Sequence, residues 1–184
     1  MLIAFYEPFG VACKFSPAPG RKSLADYIDV TGIYPAGRLD TDSEGLLLLT
    51  DDGVLQARIA EPKHKIQKVY WAQVEGSPSQ AALEPLRKGV NLGDFTTQPA
   101  MAAVIDEPKG LWPRAPPIRY RAKIPTRWIE LAIHEGKNRQ VRRMTAKLGF
   151  PTLRLIRASI GKVSVEELAL GTWREIGPDS PWSG

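Results

Sequence analysis

Residues 37–53 read GRLDTDSEGLLLLTDDG. Leu46 to Leu49 run without a polar break and end at Asp51-Asp52-Gly53, the pattern of a short strand buried on both faces that stops at a turn. The run is far too short to cross a bilayer, and no membrane partner is expected. Ahead of it, Asp40, Asp42 and Glu44 place three carboxylates at every second position. Toward the N-terminus, residues 2–6 and 9–15 read as strands separated by Pro8. Ser23 caps a helix reaching Ile28, which Gly32 ends. Tyr34 to Asp40 holds Pro35 and Gly37 and reads as a loop.

Beyond the leucines, Val69 to Glu75 reads as a strand with Tyr70, Ala72 and Val74 on one face. Ser79 to Lys88 looks helical. Residues 108–127 contain five prolines and read as a long Pro/Arg-rich insertion loop, of a kind that is usually functional. Trp128 to His134 alternates, with Ile129, Leu131 and Ile133 on one face. Asn138 to Leu148 is the clearest helix: Val141, Met144 and Leu148 form its apolar face, and Arg139, Arg143 and Lys147 oppose them. Arg142 lies between, placed to hide its stem and aim its guanidinium into a cleft. Gly149 sits where a helix-ending glycine belongs, and Pro151 prevents continuation. Leu153 to Val165 reads as one or two strands. Strands dominate and helices are irregularly inserted, so the class is α+β.

The 184 residues suit one domain, 1–184, able to bury its own core. Cys13 is the single cysteine and cannot form an intrachain disulfide, which suits a cytoplasmic protein. Met1 to Cys13 contains Glu7 and Pro8 and has no basic start, so it does not read as a secretion signal. His64 and His134 are isolated and carry no assigned chemistry. A monomer is expected.

Charge is unevenly divided. Residues 1–107 carry 10 Lys+Arg against 14 Asp+Glu, whereas residues 108–184 carry 15 against 6. Within 108–157 there are 13 basic residues and two acidic ones, Glu130 and Glu135. Such a concentration suits a polyanion, since each phosphate neutralised releases counterions. Trp112, Tyr120 and Trp128 are interleaved with these charges. Planar side chains that stack on bases, beside cations that hold phosphates, point to nucleic acid. The candidate contacts are Arg114, Arg119, Arg121, Lys137, Arg139 and Arg143.

The acidic loop admits four readings. Asp40, Asp42, Glu44, Gly45 and Asp51 match positions of a calcium loop, but Glu44 is long for its slot and Asp51 short for a bidentate grip. A magnesium nuclease needs carboxylates gathered from separate elements, and no second cluster is evident. One aspartate can instead work as a nucleophile or base on a loop packed against a rigid strand. The fourth reading is a plain acidic turn.

Three ordered segments together resemble the RsuA-like ribosomal RNA pseudouridine synthases: GRLDTDSEGLLLLTDDG (37–53), KVYWAQVEG (68–76) and EGKNRQVRRMTAKLGFPTLRLIRASIG (135–161). FYEPFGVACKFS (5–16) is similar to that family's opening motif, with Glu7 where the family has Lys. LWPRAPPIR (111–119) and IPTRWIEL (124–131) are similar to members acting on the large subunit. The resemblance implies a mixed, mostly antiparallel central sheet flanked by helices, with a cleft across the middle. It implies isomerisation of a uridine in large-subunit rRNA, free or in an assembly intermediate, with no metal and no cofactor.

By resemblance, Asp40 is the catalytic aspartate. Tyr70 stacks on the target uracil and assists the final deprotonation, Arg142 ion-pairs with the aspartate, and Arg38 enters the RNA as the uridine leaves. The chemistry suits these residue types. The isomerisation has no redox step, extruding the base costs a few kcal/mol of stacking, and a guanidinium keeps a partly desolvated carboxylate ionised. No room is expected before residue 1 for a small S4-type RNA-binding domain, so affinity falls to the catalytic domain. The alternative is a non-catalytic RNA-binding or ribosome-assembly module with the same fold.

Overall fold

Why Leu46 to Leu49 are all apolar becomes plain once the strand has neighbours. In the computed structural model, which describes residues 1–182, every side chain of strand β3 (Glu44–Thr50) is buried. The chain forms two compact units: Met1–Lys68 with the segment from Ile156 onward, and Val69–Leu155.

In the first unit, β3 pairs antiparallel with β1 (Leu2–Glu7), which pairs antiparallel with β9 (Trp173–Ile176). On its other side β3 meets β7 (Thr152–Ile160) in parallel, with Gly45 opposite Arg157. Short strands β2 (Tyr34–Pro35) and β8 (Val163–Ser164) pair with β3 and β7. One face buries Ile3, Phe5, Leu47 and Leu49 against Val11, Leu24, Ile28 and Ile33. The expected strand at 9–15 is instead an irregular turn, with Gly10 at φ +85° and a single bridge from Ala12 to Ser23. The helix expected from Ser23 shrinks to one 3-10 turn, Leu24–Asp26, closed by Asp26 accepting from Ser23 N at 2.7 Å.

Asp51-Asp52-Gly53 is more than a turn. Helix α1 (Gly53–Ala60) starts there, and the Asp52 carboxylate accepts from Val54 N and Leu55 N at 2.8 and 3.1 Å. Leu55 and Ile59, four residues apart, turn its buried face inward.

The second unit carries β4 (Lys68–Glu75, from its second residue), β5 (Met101–Ile105), β6 (Thr126–Ile133) and the first residues of β7, in the order β5–β6–β4–β7. β5 pairs antiparallel with β6, Ala103 facing Glu130. One face buries Ala72, Val74, Ile129, Leu131 and Ile133 against Leu86 of α2 (Glu84–Lys88) and Val141 and Met144 of α3 (Gln140–Lys147). Gly149, at φ +85°, ends α3 where its sequence position requires, and Phe150 N returns to Thr145 O at 3.0 Å. The mixed, mostly antiparallel pairing with irregular helices is an α+β fold.

Gly45 is a point of close backbone approach in the first unit. Its φ is +120°, and a Cβ there would stand 2.4 Å from Arg157 O. Gly45→Ala should therefore cost about 3 kcal/mol or more of stability. Urea denaturation checks this, and a loss below about 1 kcal/mol would contradict the close approach.

Candidate active site

The 37–44 loop is held at several points. Gly37 takes φ +92°, Ser43 N bonds Asp40 O at 2.8 Å, and Gly10 N bonds Thr41 O at 2.8 Å. Leu39 is buried, while Arg38 and Asp40 on either side of it are exposed. The buried leucine thus anchors the loop between two exposed neighbours. Glu44 is buried as the first residue of β3, and Asp51 takes the Met1 ammonium at 2.6 Å. Glu44 and Asp51 therefore sit in different environments.

Beneath the loop lies a group of charges that the sequence reading did not assign. Glu7, Gly45 and Arg157 form one row across β1, β3 and β7, so their side-chain positions share a face. Gly45 contributes no side chain, and the Arg157 backbone closes on the place where a Cβ would stand. Glu7 and Arg157 are both almost wholly buried. Arg157 Nε donates to Leu46 O at 2.8 Å and Nη1 to Arg38 O at 3.2 Å. One guanidinium therefore joins the strand to the backbone two residues before Asp40. Burial pushes the Glu7 carboxyl up to about 8, opposed by Arg157 and the Cys13 thiol. Burial also pushes Cys13 up to about 12, so the thiol stays protonated near neutrality. Lys68 is pushed down to about 8 by burial and by Arg157. A glycine inside an apolar strand was the one sequence signal of this close approach.

The remaining expected site residues fall in the second unit. Tyr70 on β4 is half-buried and packs on the core shared with α3. Arg142 is half-buried on α3, with Nη1 3.5 Å from Thr152 O. Arg139 precedes the helix at φ 51° and is exposed. Lys137 and Arg143 come together over the Phe95 ring, at 4.7 and 5.4 Å. Arg143 is also bound to the Asp94 carboxylate and to Leu92 O, which limits its freedom to meet phosphate.

The 108–127 loop divides in two. In its first half, Arg114 donates to Pro116 O, Pro117 O and Leu153 O, and the Arg154 guanidinium lies 5.6 Å from the Trp112 ring centre. In its second half, Arg119, Tyr120 and Lys123 are exposed, and Arg121 meets Glu75 at 3.1 Å. Trp128 corrects one expectation: it is buried in β6, so its ring is closed to bases.

Residues 19–147 match the family model described as RNA pseudouridylate synthase. The chain belongs to that family. It is 54% identical over 175 residues to ribosomal large subunit pseudouridine synthase E of Vibrio vulnificus, covering 95% of this chain and 74% of that protein. It is 51% identical to the protein of the same name from Xanthomonas axonopodis pv. citri, covering 92% and 90% respectively. A crystal structure of a pseudouridylate synthase superposes with a TM-score of 0.79 at 27% identity, covering 98% of this chain and 71% of that one. The pseudouridine synthase fold and an isomerase converting uridine to pseudouridine are thereby established, so the purely binding alternative gives way to an enzyme.

The buried Glu7 gives a testable pH dependence. The folded chain keeps this carboxyl protonated up to about pH 8, whereas an unfolded one ionises near 4.5. Between those values the folded state holds the extra proton, so stability falls as pH rises, by at most about tenfold per unit in the folding equilibrium constant. Glu7→Gln, a mimic of the protonated form, should flatten this fall. Urea midpoints from pH 5 to 8 should show the variant more stable than the parent at pH 8. Parallel pH profiles would contradict the buried carboxyl.

Proposed function

We propose that this enzyme isomerises one uridine of large-subunit ribosomal RNA, as a cytoplasmic monomer, with Asp40 as its catalytic residue. The observation that carries the residue assignment is the built presentation of Asp40. Leu39 is anchored inward, Arg157 holds the preceding carbonyl, and the Asp40 carboxylate is left exposed beside Arg38. The substrate rests on the names of the relatives, which are large-subunit synthases. Among the described residues, no helix is long and apolar enough to cross a membrane.

In this reading the C1′–N1 bond breaks, uracil turns, and C5 bonds to C1′. The C5 proton leaves and N1 is left protonated, so atoms and charge balance without a redox partner. Asp40 attacks the sugar or removes a proton from it. Tyr70 offers a flat face to uracil and a hydroxyl for the C5 proton. Arg142 supplies the cation that the family's aspartate requires, and Arg38 fills the space left by the extruded base. Arg114, Arg119, Arg121, Lys137, Arg139 and Arg143 contribute positive charge toward phosphates. Arg119 is the more accessible of these, given the contacts made by Arg114, Arg121 and Arg143.

Asp40→Asn should lower pseudouridine formation on large-subunit rRNA more than about a thousandfold while RNA binding stays within severalfold. Full turnover by that variant would remove Asp40 from the chemistry. Arg157→Lys keeps a cation but cannot span both carbonyls. It should lower kcat about ten- to a hundredfold with KM for RNA within about twofold, since small misplacements of a reacting group are costly. A raised KM at unchanged kcat would make Arg157 a binding residue instead.

A further inference from the structure

The second half of the insertion loop has features that its length does not require. Tyr120 is 83% exposed, the most open of the large apolar side chains. Arg119 and Lys123 flank it, both exposed, and neither makes an ion pair among the described residues. The segment is nevertheless fixed in place. Ile124 N bonds Arg121 O at 3.0 Å, Arg121 bonds Glu75 at 3.1 Å, and Gly76 N bonds Pro125 O at 2.7 Å. Gln73 Nε2 reaches Thr126 Oγ1 at 3.2 Å. Together these contacts fasten the loop to the end of β4 and leave a groove of about 520 Å³ lined by Gln73, Arg119, Tyr120 and Lys123 among others.

We propose that this groove is a platform for an unpaired nucleotide of the RNA substrate, separate from the target uridine, with a base on the Tyr120 ring and its phosphates on Arg119 and Lys123. The proposal rests on the enzyme's acting on large-subunit rRNA. An exposed ring loses little entropy when a base covers it, since Tyr has two side-chain torsions and the backbone beneath it is already pinned. Two cations without acidic partners retain their full attraction for phosphate, whereas Arg121 is already neutralised by Glu75. Charge selects the occupant: a polyanion with flat, unpaired bases satisfies both the ring and the cations. The groove's size suits one nucleotide rather than a duplex.

The test uses the full chain and a short oligouridylate carrying one central 2-aminopurine, whose fluorescence is quenched when the base stacks. Tyr120→Ala and Tyr120→Leu should each weaken binding about tenfold and abolish the quench, while Tyr120→Phe and Tyr120→Trp restore both. Arg119→Gln with Lys123→Gln should flatten the slope of log K against log salt by about 1.4, from two phosphates at about 0.7 each. Leu serving as well as Phe, or an unchanged salt slope, would overturn the platform and leave the loop as a protein-docking surface or plain scaffold. In parallel, pseudouridine formation is measured on large-subunit rRNA. Formation by the wild type with an unchanged KM in Tyr120→Ala overturns the platform alone. Absence of product with the wild type overturns the substrate assignment, and the oligouridylate result then decides the platform by itself.

Discussion

The guanidinium of Arg157 is the contact on which the first unit turns. It donates to a strand carbonyl at Leu46 and to a loop carbonyl at Arg38, across 111 and 119 residues of sequence. A charged donor to a carbonyl contributes about 1.5–3 kcal/mol, and stranding buried partners costs at least as much. Such a contact needs the β3 backbone to come close to β7, which only a residue without Cβ permits, and Gly45 is that residue. Glu7 stands opposite Gly45 on β1. A buried acid beside a buried arginine is poor as a stabiliser in itself, because the arginine loses water and the desolvated acid keeps its proton up to about pH 8. Its place at the foot of the loop suggests geometry rather than stability as the gain.

The second unit divides its labour differently. Helices α2 and α3 cover one face of its strands, where Ala72, Val74 and the isoleucines of β6 are buried. Positive charge gathers on α3 and on the insertion loop, but much of it is already engaged. Arg143 holds Asp94, Arg121 holds Glu75, and Arg114 spends its donors on carbonyls. Counting basic residues therefore overstates the charge available to phosphate. What remains accessible is a smaller set, with Arg119 and Lys123 around Tyr120.

Much of this was legible in residue order, for identifiable reasons. The leucine run marked β3 because a strand buried on both faces needs apolar residues throughout. Helix α3 was legible because its apolar spacing and Gly149 agree. Helix α1 was missed because Leu55 and Ile59 alone face inward while Val54 lies 73% exposed, which blurs the periodicity. Strand β5 was missed because Met101-Ala102-Ala103 carries little strand preference and lies at the end of the strand order. Alternation sets Trp128 on the face of β6 opposite Ile129, Leu131 and Ile133, and its burial shows that this face is covered there as well. The direction of Arg38 and Asp40 needed the burial of Leu39, and the clamp by Arg157 needed a long-range contact that spacing cannot reveal.

Quantitative mapping of pseudouridine along the large-subunit rRNA of cells lacking this protein tests the central claim most directly. We expect one uridine to lose its modification and to regain it when the wild-type chain is returned. A modification profile identical with and without the protein would contradict that claim.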